Sequence, residues 1–403
     1  MAGVVSELRR ELGLGGAVIT GLGSILGTGA FVAIALAFDF AGAGIILAAP
    51  LAGLVAVFNG LSSAALAGAH PVAGGTYEYG YRFLGPWPGF LAGWLFLIAK
   101  SASAATAALA LGRLLGLEWA PVVIVALVTG LVAAGLRRTT FVNAALVVIT
   151  VAGLLAFVWI PNSIVVTSGI GAPSASPSSV LEAIAFLFVA YTGYGRIATL
   201  GEEVADPART IPRAVVVTLM VTAILYTGVA WAVVRLWEDA GRGGDSLFAI
   251  AEGLTGSQVV TFAAGAAMAG VLVNLVLGLS RVWLAMGRRH DMPQPLARVA
   301  DGSPCVAVVV AGTVIAGLTL VGDLRVAWSF SAFSVLLYYA ITNAAALRLG
   351  PDERRFPRWT AWAGLMSCLF LAVWLDPAVV GVSLGAIAVG LLWRAVWRQR
   401  VRT

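Results

Sequence analysis

The sequence predicts an all-α integral membrane protein with about twelve transmembrane helices. Three observations support that expectation. First, the 403 residues are 60% hydrophobic and 11% charged, with mean hydropathy +0.96, whereas soluble domains carry roughly 25% charged residues. Second, apolar runs long enough to span recur at 14–38, 41–67, 86–112, 118–136, 140–161, 179–200, 213–237, 258–287, 304–322, 325–348, 358–375 and 377–397. A span needs about 20 residues at 1.5 Å each. Third, the arginines alternate in density between the segments joining those runs. With both termini placed in the cytoplasm, Arg113, Arg235, Arg242 and Arg325 face outward, against nineteen on the inner side. This is a strong positive-inside pattern. The expected location is the cell membrane, with the lipid bilayer as surroundings.

The first run is interrupted by Gly23-Ser24-Ile25-Leu26-Gly27-Thr28-Gly29-Ala30-Phe31. Each glycine costs about 1 kcal/mol relative to alanine inside a helix. The run therefore reads as two half-helices with an unwound join near mid-membrane. Freed backbone groups are tolerated there only beside protein or a cavity. Bare N–H groups at such a join suit a carboxylate, and broken helices of this kind mark secondary transporters. The sixth run, 179–200, is interrupted in turn at Thr192-Gly193-Tyr194-Gly195. Matching interruptions divide the chain into a first repeat over 1–161 and a second, inverted repeat over 162–349, five spans each. Residues 350–403 add two further spans and a basic tail. Segment 162–178 is expected to be an external loop, and 238–257 to hold a short surface helix.

Composition also excludes. The net charge of +6 follows the membrane topology, so nucleic acid is not a partner. The first run is too long for a cleavable signal and is read as a span. Cys305 and Cys368 lie in or beside apolar runs, and no zinc spacing exists. His70 and His290 fall in loops. There is no phosphate-binding loop and no mid-span pair of carboxylates, so an enzyme is not expected, nor a metal or other cofactor.

With these motifs in hand, the chain resembles the amino acid–polyamine–organocation permease superfamily over essentially its full length. Besides the span-one motif, the resemblance rests on Pro71-Val72-Ala73-Gly74-Gly75-Thr76-Tyr77-Glu78-Tyr79 and on Phe188-Val189-Ala190-Tyr191-Thr192-Gly193-Tyr194-Gly195. The latter is followed by Gly201-Glu202-Glu203-Val204-Ala205-Asp206-Pro207-Ala208-Arg209-Thr210-Ile211-Pro212-Arg213. The resemblance implies a LeuT-like 5+5 inverted repeat with discontinuous helices 1 and 6, and alternating-access transport of an amino acid. It implies that the substrate carboxylate meets Gly27, Thr28 and Gly29, and that the amine meets carbonyls of Ile25, Val189 and Thr192. Close helix packing is the competing reading of these glycines. Glu78, Glu202 and Glu203 are candidates for an inner gate, or for a solvated salt-bridge cluster.

Two departures from the family pattern concern charge. Gly195 stands where many relatives carry an acid, and Arg196 follows it, facing either a cavity or Glu202 and Glu203. Thr150 occupies the span-five position at which some proton-coupled relatives carry a lysine. The one lysine of the chain, Lys100, lies deep in span three; it is a candidate proton carrier or a lock between spans. The coupling ion is thus a proton or, near Thr150, sodium, and exchange is an alternative. Positive charge near the site favours a neutral or acidic amino acid over a cationic one. A passive channel or a polyamine or organocation carrier on the same fold is the alternative function.

Overall fold

The computed structural model describes residues 13–70, 74–135, 140–160, 175–198, 204–240, 244–299, 304–320 and 322–402. Helix α1 (Leu14–Ile25) ends at the span-one glycines. After three residues a π turn (Gly29–Ala33) opens and runs into α2 (Ile34–Ala41). Helices α3 (Ile45–Ala69) and α5 (Pro86–Leu115) flank a short α4 (Thr76–Phe83). Helices α6 (Ala120–Ala133) and α7 (Thr140–Val158) complete the first half. Helix α8 (Pro177–Tyr191) is started by a reciprocal cap between Ser176 and Ser179. It breaks into a 3-10 turn (Thr192–Tyr194) and resumes as α9 (Gly195–Ala198). Then follow α10 (Pro207–Ala240), α11 (Leu247–Ala251), α12 (Ser257–Arg288), α13 (Cys305–Thr319), α14 (Leu324–Ala346), α15 (Arg358–Ala372) and α16 (Pro377–Arg402).

A helix therefore lies over each apolar run, and no strand occurs among the described residues. Among the described residues, eight helical stretches are long and apolar enough to cross a membrane; Leu14–Ile25, Ala120–Ala133 and Cys305–Thr319 are shorter apolar helices. Helix α10 starts at Pro207, six residues before the run read from the sequence. The surface helix expected in 238–257 is the five-residue α11, capped by Ser246. Of the expected external loop, residues 161–174 lie outside the described residues, as do Pro71–Ala73, Glu202 and Glu203.

The bundle is apolar inside and out. Phe31, Phe90, Phe157, Phe188 and Tyr226 are fully buried, while Phe141, Leu392 and Val373 are 83%, 66% and 74% exposed. Helices apolar on all sides need lipid around them, and the chain is a multi-pass membrane protein. Helix α5 lies between α12 and α14, and α3 packs on α8 and α10. These helices surround the two breaks.

At the end of the bundle carrying α4, a buried carboxylate joins three elements. Asp291 follows α12. Its Oδ2 accepts hydrogen bonds from Tyr77 (2.8 Å) and Tyr81 on α4. Its Oδ1 accepts from Arg398 (3.0 Å) and lies 3.7 Å from Arg394, both on α16. Arg394 is 4% exposed and stacks over Trp87 and Phe90. Beside this hub, Arg289 Nε donates to Glu78 (3.0 Å), and that hydrogen bond raises the pKa of the guanidinium.

Removing one partner of a buried ion pair costs about 3–5 kcal/mol, whereas exposed pairs contribute about 0–1 kcal/mol. Asp291→Ala is accordingly expected to lower the apparent melting temperature in detergent by several degrees. Arg398→Ala, at a side chain 39% exposed, should lower it by much less. Equal shifts would contradict the hub.

Candidate functional site

The break in the first run is defined by its hydrogen bonds. The Leu26 amide closes α1 on the Leu22 carbonyl (2.8 Å), and the amides of Ala30 and Phe31 both reach the Gly27 carbonyl (3.0 and 3.1 Å). Between them, the amides of Gly27, Thr28 and Gly29 have no backbone acceptor among the described residues. The Thr28 hydroxyl is buried and also lacks a partner there. These donors sit at the start of the second half-helix, where the helix dipole favours negative charge.

The second break crosses directly behind the first. A Cβ on Gly29 would lie 2.5 Å from the Cβ and 2.7 Å from the Cα of Ala190, and one on Gly193 would meet the Ser24 carbonyl. Glycine at both positions lets the two unwound segments touch. Their freed carbonyls are held by phenols: Tyr226 donates to Ile25 (3.1 Å) and to Ala190 (3.2 Å), and Tyr339 donates to Thr192 (3.2 Å). The Thr192 hydroxyl donates to the Val189 carbonyl (2.8 Å) and accepts from Lys100 Nζ (2.9 Å). Lys100 thus ties α5 to the second break.

A cavity of about 740 Å³ opens at this junction. Ile25, Thr28, Gly29, Lys100, Val189 and Thr192 line its deep part. Beyond them it passes Arg196, Asn274 and Arg281 to Glu78, Arg288 and Arg289 at the α4 end of the bundle. At the other end Trp328 covers it. That indole donates to the Phe186 carbonyl (2.9 Å). Above it, Arg325 lies 3.5 Å from Glu182 and 4.5 Å from the Phe40 ring centre. The cavity is therefore closed at one end by an aromatic layer and reaches the exposed arginines at the other.

The structure brings together eight residues that the sequence singled out separately: Ile25, Thr28, Gly29, Val189, Thr192, Lys100, Arg196 and Glu78. It places two others differently. Gly27 is absent from the lining, and its α-carbon faces Val271 of α12, a packing contact. Thr150 is buried and donates to the Leu146 carbonyl of its own helix (2.7 Å), away from the cavity. Glu202 and Glu203 lie outside the described residues; Asp206 and Arg209 of that segment approach to 3.8 Å. Sequence reasoning missed Tyr226 and Tyr339, which look like ordinary core aromatics, and Asn274 and Arg281, which sit in an unremarkable apolar run. A signal for the latter was present: Val271, Asn274, Gly278, Arg281, Ala285 and Arg288 fall on one helical face.

Comparison with known proteins agrees with this architecture. The family described as amino acid permease matches residues 16–398, and the chain belongs to that family, within the amino acid–polyamine–organocation superfamily. A protein of Mycobacterium tuberculosis (strain H37Rv), named an uncharacterized transporter, is 40% identical, covering 96% of this chain and 91% of its own. A branched-chain amino acid permease of Bacillus subtilis is 25% identical, over 96% of this chain and 92% of its own. The chloroplastic cationic amino acid transporter 7 of Arabidopsis thaliana is 24% identical, over 91% and 71%.

The two threonines of the site should respond oppositely to loss of the hydroxyl. Burying a polar group without a partner costs about 1–3 kcal/mol. Thr28→Val should therefore leave the ligand-free protein as stable or more so. Thr192→Val, which leaves Lys100 without its acceptor, should destabilise it by about 1–3 kcal/mol. Thermal unfolding of both purified variants without ligand provides the check.

Proposed function

We propose that this permease is a secondary active transporter that moves an amino acid across the cell membrane by alternating access. The observation that carries the reading is the set of unpaired donors at Thr28 and Gly29, facing a cavity beside the carbonyls of Ile25, Val189 and Thr192. An α-carboxylate satisfies the donors. The Ile25 carbonyl accepts from Tyr226 and keeps a second lone pair, so an α-amine can sit there opposite the carboxylate. A helix over every apolar run supports twelve spans, and breaks in runs one and six support the inverted repeat of 1–161 and 162–349, with 350–403 outside it. The arginine distribution supports cytoplasmic termini, and the cavity then faces the cytoplasm.

Closure by Trp328 at the opposite end favours a carrier over a passive channel. Among the described residues, Lys100, Arg196, Arg281, Arg288 and Arg289 line the cavity with a single carboxylate, Glu78. This charge favours a neutral or acidic amino acid and opposes polyamines and other organocations. For coupling, Lys100 at the second break supports a proton, or substrate exchange, over sodium at Thr150. Glu78 with Arg289 serves as part of the inner gate, together with Glu202 and Glu203.

A thermal-shift screen of the purified protein against amino acids, polyamines and small carboxylates tests the substrate class, because a ligand of the folded state raises apparent stability. A neutral or acidic amino acid is expected to give the largest shift, and Gly29→Val, which drives a side chain into Ala190, should abolish it in a folded protein. A largest shift with putrescine or arginine would contradict the reading. In proteoliposomes, Lys100→Met should retain exchange of the same substrate and lose uptake driven by a pH gradient. Persistence of that uptake would make Lys100 a structural tie alone.

A further inference from the structure

We propose that Arg281 forms a second anion subsite within the cavity, which takes the side-chain carboxylate of an acidic amino acid whose backbone is held at the two breaks. The inference rests on the amino acid reading above and names its substrate class.

Arg281 lies seven residues before the end of α12, about 10 Å along the helix axis. By sequence alone it counts with the arginines of the cytoplasmic side, and in the structure it lies on the apolar helix α12, one turn and more before its end. An arginine within an apolar helix opposes membrane insertion and characteristically faces a partner or an aqueous cavity. Here the surroundings select the cavity. Arg281 belongs to the face of α12 that lines it, between Asn274 and Gly278 on the deep side and Ala285 and Arg288 at the mouth. Its side chain is exposed, in contrast to Val282 and Met286 beside it, which are buried in the protein. Neither Arg281 nor Arg288 meets a carboxylate among the described residues. Glu78, the one acid among the described residues of the lining, is engaged by Arg289.

The chemistry of the deep part leaves Arg281 without a role in holding the substrate backbone. The donors at Thr28 and Gly29 suffice for one carboxylate, and Lys100 is hydrogen-bonded to Thr192. A cavity of about 740 Å³ extends well past that group toward Arg281. A guanidinium presents paired donors that match a carboxylate bidentately, which a neutral amide cannot accept with equal strength. A substrate with carboxylates at both ends therefore engages both regions, whereas a neutral isostere engages the breaks alone. A cationic side chain placed there meets Arg281 and Arg288.

Binding of radiolabelled L-glutamate, L-glutamine, L-lysine and glutarate to the purified full-length protein tests this. The wild type is expected to bind glutamate at least about tenfold more tightly than glutamine, the scale of a hydrogen bond to a charged group. In Arg281→Gln that ratio should fall to within about twofold, and in Arg281→Lys it should be intermediate, as a point charge without the fork requires. Arg288→Gln, at the mouth, should change the ratio less than Arg281→Gln. A wild type that binds glutamine as tightly as glutamate, or lysine more tightly than either, overturns the subsite while leaving an amino acid carrier intact. An Arg281→Gln variant that keeps the full ratio overturns it likewise. Binding of glutarate alone, with no amino acid bound, keeps the anion subsite and overturns the amino acid reading beneath it.

Discussion

Backbone polar groups inside a bilayer must find partners within the protein, and this constraint organises the molecule around its two breaks. Each interrupted helix exposes amides and carbonyls that an intact helix would pair. Tyr226 and Tyr339 take up the carbonyls of Ile25, Ala190 and Thr192, and the Thr192 side chain takes up that of Val189. Gly29 and Gly193 let the two broken segments touch. Among the described residues, the first break leaves the amides of Gly27, Thr28 and Gly29 without a backbone acceptor, beside the buried and unpartnered Thr28 hydroxyl at the wall of the cavity. These groups form a donor set of the sign that suits the proposed carboxylate.

The same geometry relates the site to the ends of the bundle. On the closed side, Trp328, Phe186, Phe40 and the Arg325–Glu182 pair stack across α2, α8 and α14. On the open side, α4 carries Glu78 into the cavity mouth and hands Tyr77 and Tyr81 to Asp291. Since Asp291 also holds Arg394 and Arg398 of α16, α4 cannot swing over the mouth independently of the C-terminal helix and the α12 end. The C-terminal helix α16, outside the proposed repeat, is thereby tied to α4 and to the proposed inner gate.

Much of the fold was legible because lipid imposes a coarse rule that composition obeys: apolar runs became helices, and glycine clusters became breaks. The position of the first break was readable, since Gly23, Gly27 and Gly29 cluster within one apolar run. Its detail was not. Whether a glycine lines a cavity or packs on a neighbour depends on the facing helix, and Val271 decides the matter for Gly27. Thr150 satisfies itself within α7, which a span-five alignment does not reveal. Lys100 and Thr192 each stood out alone, but their pairing at 2.9 Å is a tertiary fact. Asp291, in a loop among arginines, carried no signal of burial, because its partners come from segments some 200 and 100 residues distant in the chain.

The central claim is that an amino acid occupies the junction of the two breaks. Asn274 lines the cavity between that junction and the mouth, so its accessibility reports on occupancy. In a background with Cys305 and Cys368 replaced by serine, the rate at which a water-soluble thiol reagent modifies Asn274→Cys should fall when the amino acid giving the largest thermal shift is added. The same protection should be absent once Gly29→Val is introduced. A modification rate unchanged by a saturating concentration of an amino acid that demonstrably binds would place the substrate elsewhere and contradict the account.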